Sequence, residues 1–301
     1  MNAVADDVTP PVLRNEPLRK HTSWRVGGPA DLFYEPTSVE DLQRTLADLP
    51  ADMPVHWLGL GSNLLVRDGG LRGAVIATAR LPRLLEKLDD MRVRAGAGLA
   101  CMLLAKQCVR WHLGPAVFFA GIPGTVGGAL AMNAGAFGGE TWNNVEAVET
   151  LDRRGERRAR PRAEYEVSYR TVRGRSVEWF LSATFRFDRD ITSSLDTIKA
   201  LLAQRNASQP LGVPSCGSVF RNPPGDFAGR LIEQAGLKGR RIGGAVVSEK
   251  HANFIVNAGK ATAADIEALI DEVKATVQQR TGVRLEAEVR IVGESAAEAQ
   301  G

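Results

Sequence analysis

The segment AGIPGTVGGALAMNAGA, residues 120–136, contains five glycines and one proline, and none of its 17 residues is charged. Glycine has no Cβ, so its backbone adopts positive φ readily and approaches a ligand closely. A segment with so few polar side chains binds a ligand mainly through its N–H groups, which suit a phosphate, a pyrophosphate or the polar edge of a flat ring. A buried glycine-rich loop that packs against a helix is the alternative. The segment by itself favours neither the ligand-binding loop nor the buried packing loop.

A second glycine-rich turn lies in WLGLGSNLLVRDGG, residues 57–70. The turn at 59–64 follows an apolar run, and Ser62 and Asn63 are its hydrogen-bonding tips. Two such loops in one half of the chain favour one large phosphate-bearing ligand. Gly96 and Gly98 begin a dinucleotide-type pattern, but Cys101 occupies the position of the third glycine, so this fingerprint does not fit.

Composition limits the class of protein. The 301 residues are 44% hydrophobic and 24% charged, with a formal net charge of +3, which is typical of a globular protein and requires neither a nucleic-acid nor a membrane partner. The N-terminus lacks the pattern of a secretory signal. Three cysteines and four scattered histidines form neither a disulfide framework nor a metal-binding pattern. We expect a cytoplasmic protein without a metal.

Periodicity predicts a mixture of helices and strands. Residues 37–40 form a capping-box pattern before a helix, and strands are expected at 55–60 and 71–78. A helix at 99–111 places Cys101 and Cys108 on one face, where buried residues are expected. The expectations for the rest of the chain are antiparallel strands at 145–151 and 177–187, helices at 195–206 and after Thr262, and a closing strand at 285–292.

Three residues outside the glycine loops are candidates for chemistry. Ser218 lies in a loop stiffened by prolines, where a turn serine that bonds its own backbone is the alternative. Arg170 suits bidentate binding of a carboxylate, but the pattern alone favours an arginine at the solvent end of a strand. Glu288 shares one face of the predicted strand with Glu286 and Arg290, and that face is either solvated or lines a cleft.

The segment RRGERRARPR, residues 153–162, contains six arginines. It has no interleaved aromatic residues for base stacking, so a solvated hairpin tip is favoured over a phosphate-binding surface.

Eight motifs occur in an order that resembles the UDP-N-acetylenolpyruvoylglucosamine reductase family of flavoenzymes. They extend from about residue 14 to about residue 293: HTSWRVGGPADLF, GLGSNLLVRDGG, AGIPGTVGGALAMNAGAFGGE, SYR, QPLGVPSCGSVFRNP, LIEQAGLKG, SEKHANFIVN and LEAEVRIVG. The resemblance implies an α+β fold with two FAD-binding subdomains of the vanillyl-alcohol-oxidase (PCMH) type and a smaller α+β C-terminal substrate domain. On this chain we expect a disordered tail at 1–14, the FAD-binding domain at 15–190 with a split near residue 80, and the substrate domain at 191–301.

The resemblance also implies roles for particular residues. Ser218 matches the proton donor of the family, and Arg170 and Glu288 match its two other catalytic positions. The implied FAD contacts are Gly59, Leu60, Gly61, Ser62, Asn63, Leu64, Gly121, Ile122, Pro123, Gly124, Thr125, Gly127, Gly128 and Ala129. The implied substrate contacts are Tyr169, Arg205, Asn222, Lys250 and Asn253.

Two departures from the family pattern concern the substrate. Residues 171–174 read Thr-Val-Arg-Gly, where many members carry a serine and an aromatic residue. The chain is compact between Asn222 and Lys250, as in the shorter subtype that lacks an extra substrate-capping loop. The side chains that hold the uridine diphosphate therefore do not follow from the resemblance.

The implied activity is reduction of UDP-N-acetylglucosamine enolpyruvate by NADPH through FAD, without a metal, and we expect a monomer. Negative charge develops beside the substrate carboxylate, and a donor aimed at such charge is worth about 3–4 kcal/mol. Arg170 supplies positive charge, Glu288 acts in its protonated form, and Ser218 protonates the basic carbon. The alternatives are a flavin-dependent sugar or alcohol oxidase and a non-enzymatic nucleotide or nucleic-acid binder.

Overall fold

The computed structural model describes residues 12–174 and 176–300. Its α-helices are α1 (Val39–Asp48), α2 (Cys101–Arg110), α3 (Val126–Ala131), α4 (Leu195–Ser208), α5 (Ala228–Gln234) and α6 (Ala263–Thr281). Its strands are β1 (Leu13–Pro17), β2 (Pro29–Tyr34), β3 (Val55–Leu58), β4 (Leu64–Val66), β5 (Leu71–Ala77), β6 (Leu85–Lys87), β7 (Arg92–Gly96), β8 (Leu113–Gly114), β9 (Gly135–Ala136), β10 (Gly139–Glu140), β11 (Val145–Asp152), β12 (Arg157–Pro161), β13 (Glu166–Ser168), β14 (Thr171–Arg173), β15 (Glu178–Arg186), β16 (Asp188–Arg189), β17 (Arg241–Ile242), β18 (Ala245–Val247), β19 (Ile255–Asn257) and β20 (Arg290–Val292).

The described residues divide into two compact units. The first takes residues 12–14, 32–59 and 73–191, apart from residue 175. The second takes residues 15–31, 60–72 and 192–300. The strands β1, β2 and β5 each contribute residues to both units.

The first unit is built on a five-stranded sheet with the order β12-β11-β15-β7-β6. Every neighbouring pair in it is antiparallel, as the sequence predicts for β11 and β15. The strand β3 pairs in parallel with β5, from Val55 opposite Ala74 to Leu58 opposite Ala77. One hydrophobic core of this unit contains buried residues from α1 and the strands, together with Leu81 from the segment between β5 and β6: Leu42, Leu46, Ile76, Leu81, Leu151 and Leu181.

The helix α1 begins one residue later than its sequence pattern predicts. Ser38, not Thr37, is the N-cap, and its hydroxyl accepts a hydrogen bond from Asp41 N at 3.0 Å. The carboxylate of Asp41 accepts in turn from Thr37 N at 2.9 Å. The hydroxyl–acid spacing of three occurs twice, in Thr37–Glu40 and in Ser38–Asp41, and the structure uses the second pair.

The second unit is built around α6, which packs on the antiparallel sheet β17-β18-β19. The predicted start of α6 is confirmed, since Thr262 and Asp265 form a reciprocal capping box. The predicted end is confirmed as well, because Gly282 is the C-cap at φ 75°. The helix buries one face against this unit's core: Ala263, Ile266, Leu269, Ile270, Val273 and Val277.

The compact units differ from the contiguous domains predicted from the sequence. Trp24 is fully buried in the core of the second unit, where its indole N–H donates to Ile255 O at 2.8 Å. The parallel pairing of β4 with β20 likewise places residues 64–66 in that unit. Near the predicted boundary of 190 and 191, the chain passes from the first unit to the second after Ile191.

The predicted N-terminal tail ends too late. Residues 1–11 of it lie outside the described residues, whereas Leu13 and Arg14 already belong to β1. The residues after Val12 read Leu-Arg-Asn-Glu-Pro, and their charged side chains are compatible with a strand edge.

The closing strand is shorter than predicted. β20 contains only residues 290–292, and residues 285–289 contribute one isolated bridge, between Ala287 and Phe220. Val219 O accepts from both Glu288 N at 2.7 Å and Val289 N at 3.4 Å. Two consecutive amides on one carbonyl are the mark of a bulge, which interrupts the regular ladder.

Candidate active site

The two glycine-rich segments approach each other within the first unit. A Cβ built on Gly59 would lie 3.0 Å from Thr125 Oγ1. The backbone at Gly59 therefore lies close to Thr125, and a side chain at this position would crowd the Thr125 hydroxyl. The structure thus brings together the beginning of one predicted cofactor loop and the middle of the other.

The amides at the start of α3 already have partners inside the protein. Val126 N donates to Leu99 O at 2.8 Å, Gly127 N to Ala97 O at 2.9 Å, and Gly128 N to Thr125 Oγ1 at 3.4 Å. An amide bound to a protein oxygen is not a free donor for a phosphate. The prediction that this segment acts mainly through its N–H groups is therefore wrong for these three amides.

The glycines of this segment serve two different purposes. A Cβ on Gly121 would lie 2.5 Å from Ala136 Cβ, and one on Gly127 would lie 2.9 Å from Ala97 Cβ. These two glycines are required by packing, as the buried-loop alternative proposes. Gly128 is exposed, and its nearest neighbour to a built Cβ is Thr125 Oγ1 at 3.8 Å. Gly128 therefore leaves the surface of α3 open to a ligand.

The second half of the other loop belongs to the second unit. Gly61 has φ +59°, and its carbonyl accepts from Ser23 N at 3.1 Å. The thiol of Cys216 lies 3.5 Å from Leu64 O, which it reaches as a donor. Burial raises the pKa of this thiol to about 12, so Cys216 is a buried structural residue and not a reactive thiolate.

The second unit brings the segments of Ser218 and Glu288 together. Glu288 N donates to the carbonyl of Val219, the residue after Ser218, at 2.7 Å. Arg221 N donates to Glu286 O at 2.9 Å, so the two segments run side by side in opposite directions. Glu286 and Arg290 are exposed, whereas Glu288 between them is partly buried. The predicted alternation holds, and it distinguishes Glu288 from the solvated residues on the same face.

Arg170 lies in the first unit, in the two-residue turn between β13 and β14. It is therefore a turn residue, not the strand-end arginine considered from the sequence. Its φ of 55° is in the left-handed region, which costs a non-glycine residue about 1–3 kcal/mol. Its guanidinium carbon lies 5.6 Å from the centroid of the Tyr169 ring, and Tyr169 is 46% exposed. Strain of this kind concentrates at functional positions.

Asn133 supports this turn, and the sequence analysis missed it. It is 2% exposed, and its Nδ2 donates to Ser168 O at 3.3 Å and to Glu140 Oε2 at 2.7 Å. Its Oδ1 accepts from Trp142 N at 3.0 Å. An asparagine inside a glycine-rich segment was the available signal, because asparagine tolerates the left-handed backbone found here, with φ 44°.

The predicted substrate residues of the second unit have distinct environments. Lys250 Nζ donates to Asn206 O at 2.5 Å, and Asn206 directly follows Arg205. Burial lowers the pKa of Arg205, whose Nε donates to Gln209 Oε1 at 2.6 Å. A partly desolvated guanidinium suits an anionic ligand, and Lys250 is bound to the residue that follows Arg205 in the chain.

Asn222 is exposed, and its Oδ1 accepts from Ala228 N at 3.1 Å at the start of α5. Asn253 is 3% exposed, and both polar atoms of its side chain are bound to the backbone of Phe220. The structure therefore gives Asn253 a place inside the protein, in contrast to the substrate contact expected from the resemblance.

The arginine-rich hairpin is largely neutralised by its own surroundings. Arg157 pairs with Glu149 at 2.6 Å, and Arg160 pairs with Glu178 at 2.5 Å. Arg153 donates to Pro50 O at 2.6 Å. Paired guanidinium groups at the surface are weak anchors for a polyanion, which counts against the nucleic-acid alternative.

Two further findings concern the described residues. In residues 12–174 and 176–300, histidine, cysteine and acidic side chains form no group of three or more that could hold a metal ion. Within the same ranges, each helix is too short or too polar to cross a membrane.

Sequence patterns of two known families match the chain. The FAD binding domain matches residues 30–159, and the C-terminal domain of UDP-N-acetylenolpyruvoylglucosamine reductase matches residues 209–292. The first covers both glycine-rich segments, and the second covers Ser218 and Glu288. The α+β fold class with an FAD-binding domain and a separate C-terminal domain is thereby confirmed.

Individual relatives match over nearly the whole chain. The UDP-N-acetylenolpyruvoylglucosamine reductase of Alkalilimnicola ehrlichii is 55% identical over 98% of this chain and 99% of its own length. That of Methylococcus capsulatus is 56% identical over 95% of this chain and 94% of its own. The crystal structure of UDP-N-acetylenolpyruvylglucosamine reductase from Thermus caldophilus superposes with a TM-score of 0.78 at 33% identity, covering 94% of this chain and 98% of the other.

The fold and its glycine loops thus define an oxidoreductase of the flavoprotein class, with an FAD-binding domain and a distinct C-terminal domain. Within that class the C-terminal segments decide the assignment. The chain belongs to the UDP-N-acetylenolpyruvoylglucosamine reductase family, which acts in the synthesis of peptidoglycan precursors.

Proposed function

We propose that this chain reduces the enolpyruvyl ether of UDP-N-acetylglucosamine enolpyruvate to UDP-N-acetylmuramate, with NADPH as the reductant and FAD as the bound cofactor. We further propose that it acts as a monomer in the cytoplasm. The observation that carries the proposal is the 2.7 Å hydrogen bond from Glu288 N to Val219 O, which sets Glu288 beside the segment of Ser218.

The residues present fit FAD. Gly59 lies close to Thr125, and the exposed Gly128 keeps the surface of α3 open. A bulkier residue at Gly59 would crowd Thr125, and one at Gly128 would occupy space that a flat ring or a pyrophosphate needs. When bound there, FAD supplies the capacity to accept and to deliver a hydride.

Three residues of the chain act on the substrate in this proposal. Reduction of the enolpyruvyl double bond places negative charge on the carbon beside the carboxylate, and Ser218 Oγ gives its proton to that carbon. Arg170 offers a fixed positive charge, held in a strained turn. Glu288 must be protonated to donate a hydrogen bond, because an ionised carboxylate would repel the developing charge.

The remaining proposed substrate contacts are two cations, an exposed asparagine and an exposed aromatic ring. Arg205 and Lys250 are cations whose segments are joined through Asn206 O, and they complement a diphosphate. Asn222 and the exposed ring of Tyr169 complete the proposed set of substrate contacts.

An anaerobic visible spectrum tests the function. The flavin absorbance should disappear with NADPH and return with UDP-N-acetylglucosamine enolpyruvate. Rapid oxygen consumption without a need for NADPH would establish the oxidase alternative instead. A protein that is colourless and does not take up FAD would overturn the flavoenzyme proposal as a whole.

Three variants test the roles of Ser218 and Glu288. Ser218→Ala should still be bleached by NADPH but should lose reoxidation by the substrate. Equal loss of both half-reactions would contradict the role of Ser218 as proton donor. Glu288→Gln keeps a hydrogen-bond donor and Glu288→Ala does not, so Gln should retain more of the substrate half-reaction. If Glu288→Gln and Glu288→Ala were equally inactive, Glu288 would not act as a protonated hydrogen-bond donor.

A further inference from the structure

Asn253 binds the chain directly after Ser218 at three points. Its Oδ1 accepts from Phe220 N at 2.9 Å, and its Nδ2 donates to Phe220 O at 2.8 Å. Its own carbonyl accepts from Val219 N at 2.9 Å. The amide side chain thus takes the place of a neighbouring strand and satisfies both backbone groups of Phe220.

Ser218 lies between Gly217, which has a left-handed backbone, and the segment of Val219 and Phe220 that Asn253 binds. Gly217 has φ +72°, and a Cβ built on it would have no heavy atom within 4 Å. A Cβ at Gly217 would therefore point into open space, whereas the chain after Ser218 is held by hydrogen bonds. The direction of the Ser218 side chain depends on Val219 and Phe220, which Asn253 and Glu288 hold from opposite edges.

The contacts of Asn253 are made away from solvent. Its side chain is 3% exposed, and Phe220 is 1% exposed. Leaving a buried hydrogen-bonding group without a partner is unfavourable, so this pairing favours one backbone position. Asn253 N also donates to His251 Nδ1 at 3.3 Å. The His251 ring packs edge-on against the Phe254 ring, with 4.9 Å between the ring centroids. The segment that carries Asn253 is therefore itself held in place.

We propose that Asn253 is the positioning residue of Ser218: it acts by fixing the backbone of Val219 and Phe220, and it touches neither the substrate nor FAD. This inference rests on the proposed function, because it gives a reason for the placement of the proton donor. It also replaces the substrate contact that the family resemblance implies for Asn253.

The experiment compares Asn253→Ala with Asn253→Asp in the FAD-loaded, full-length enzyme. Alanine removes both side-chain bonds to Phe220, and aspartate keeps only the acceptor for Phe220 N. A displacement of about 1 Å at a reacting group lowers the rate by about 100-fold. We expect the substrate half-reaction to slow by between about 10-fold and 100-fold, while bleaching by NADPH stays within about twofold and KM for the substrate stays unchanged.

Asn257→Ala is the matched control. Asn257 belongs to the same unit, and its side chain also bridges backbone groups, with Nδ2 on Trp24 O at 3.0 Å and Oδ1 on Gly259 N at 2.9 Å. It makes no contact with Phe220 through these atoms. We expect a comparable fall in the thermal midpoint and an unchanged ratio of the two half-reactions.

Hydrogen exchange supplies a readout that does not depend on activity. The amides of residues 219–221 should exchange faster in Asn253→Ala than in wild type and no faster in Asn257→Ala. Unchanged exchange in Asn253→Ala, or a rise in KM with the substrate half-reaction intact, would overturn the positioning role. If Ser218→Ala also reoxidised normally, the proposed proton donor would be wrong, while the exchange result would still decide whether Asn253 holds the loop.

Discussion

Asn63 Nδ2 donates a hydrogen bond to the backbone carbonyl of Glu288 at 3.1 Å. Its own carbonyl accepts from Arg290 N at 3.0 Å, so one residue of the glycine turn holds the chain on both sides of Val289. The parallel pairing of β4 and β20 continues directly from these contacts. A residue expected to contact the cofactor thus also supports the carboxylate-bearing segment.

Loss of this hydrogen bond should affect the half-reaction in which Glu288 takes part. We expect Asn63→Ala to destabilise the enzyme by about 1 kcal/mol, the usual net value of such a bond. Reoxidation by the substrate should slow more than bleaching by NADPH, as measured by stopped-flow absorbance. Gln43→Ala is the control, because it removes an amide bound to Gly155 O at 2.6 Å in the first unit. It should lower stability without changing the ratio of the rates of the two half-reactions. Equal slowing of both half-reactions by Asn63→Ala would show a role in FAD binding alone.

The two adjacent glycines of α3 should respond to alanine in opposite ways. In Gly127→Ala the new Cβ would lie 2.9 Å from Ala97 Cβ and 3.2 Å from Ala97 O, so we expect a loss of about 1–3 kcal/mol in unfolding free energy. In Gly128→Ala the new Cβ has no neighbour closer than 3.8 Å, and alanine favours the helix by about 1 kcal/mol over glycine.

Titration of flavin fluorescence then separates packing from ligand binding at Gly128. We expect Gly128→Ala to keep or gain stability in the absence of FAD and to bind FAD more weakly. An unchanged FAD affinity together with the gain in stability would show that no ligand lies against Gly128. Denaturant unfolding of the FAD-free protein measures both stability changes.

Arg170 should show opposing effects of strain and function. Its φ of 55° is easy for glycine and unfavourable for alanine, so Arg170→Gly should be more stable than Arg170→Ala by about 1 kcal/mol. Both variants remove the guanidinium, and we expect both to lose the substrate half-reaction. Equal stability of the two in thermal unfolding would mean that the turn relaxes without strain. Activity in Arg170→Gly would exclude Arg170 from the reaction.

Glu178 should stabilise the first unit in a pH-dependent way. The hydrogen bond from Arg160, followed by those from Thr150 and Ser176, lowers the pKa of Glu178 to about 2 from an ordinary 4.5, against the opposing effect of burial. A carboxyl group with a lowered pKa adds stability that is fully present above about pH 4.5 and lost as the pH falls toward 2. The contribution is of order 3 kcal/mol.

Glu178→Gln should therefore be destabilising at pH 7 and should approach the wild type below pH 3 in urea unfolding. Asp196→Asn is the matched control, because Asp196 pairs with Lys199 at 3.1 Å with both side chains more than four-fifths exposed. Exposed pairs contribute little, so we expect this variant to follow the wild type at every pH. A constant difference for Glu178→Gln between pH 7 and pH 3 would contradict the lowered pKa.

Local chemistry made several elements predictable. The capping box at Thr262 and the glycine at 282 mark both ends of α6, because the signals lie within a few residues of the amides and carbonyls that they satisfy. Cys101 and Cys108 were placed on the buried face of α2 by their spacing alone, and both are fully buried. The closing strand was overextended because the bulge at Val219 O involves a partner about 70 residues away, which periodicity does not register.

In the candidate site, too, the sequence predicted the motifs, whereas the contacts between them depended on the fold. The motifs around Ser218 and Glu288 were visible in the sequence, but nothing in their spacing placed Glu288 N on Val219 O. Asn133 and Asn253 were overlooked as supporting residues, because a buried amide acts through whichever backbone the fold brings to it.

The sequence by itself determined the capped helix α6 and the two glycine-rich segments, since each depends on neighbours along the chain, and the α+β class followed from the family resemblance of its motifs. Tertiary structure alone decided which glycines are closed by packing, as at Gly121 and Gly127, and which remains open, as at Gly128. It also decided that Trp24 belongs with the core of the C-terminal segments. Contacts between distant residues depend on the balance of burial and hydrogen bonding over a whole unit, and no local pattern contains that information.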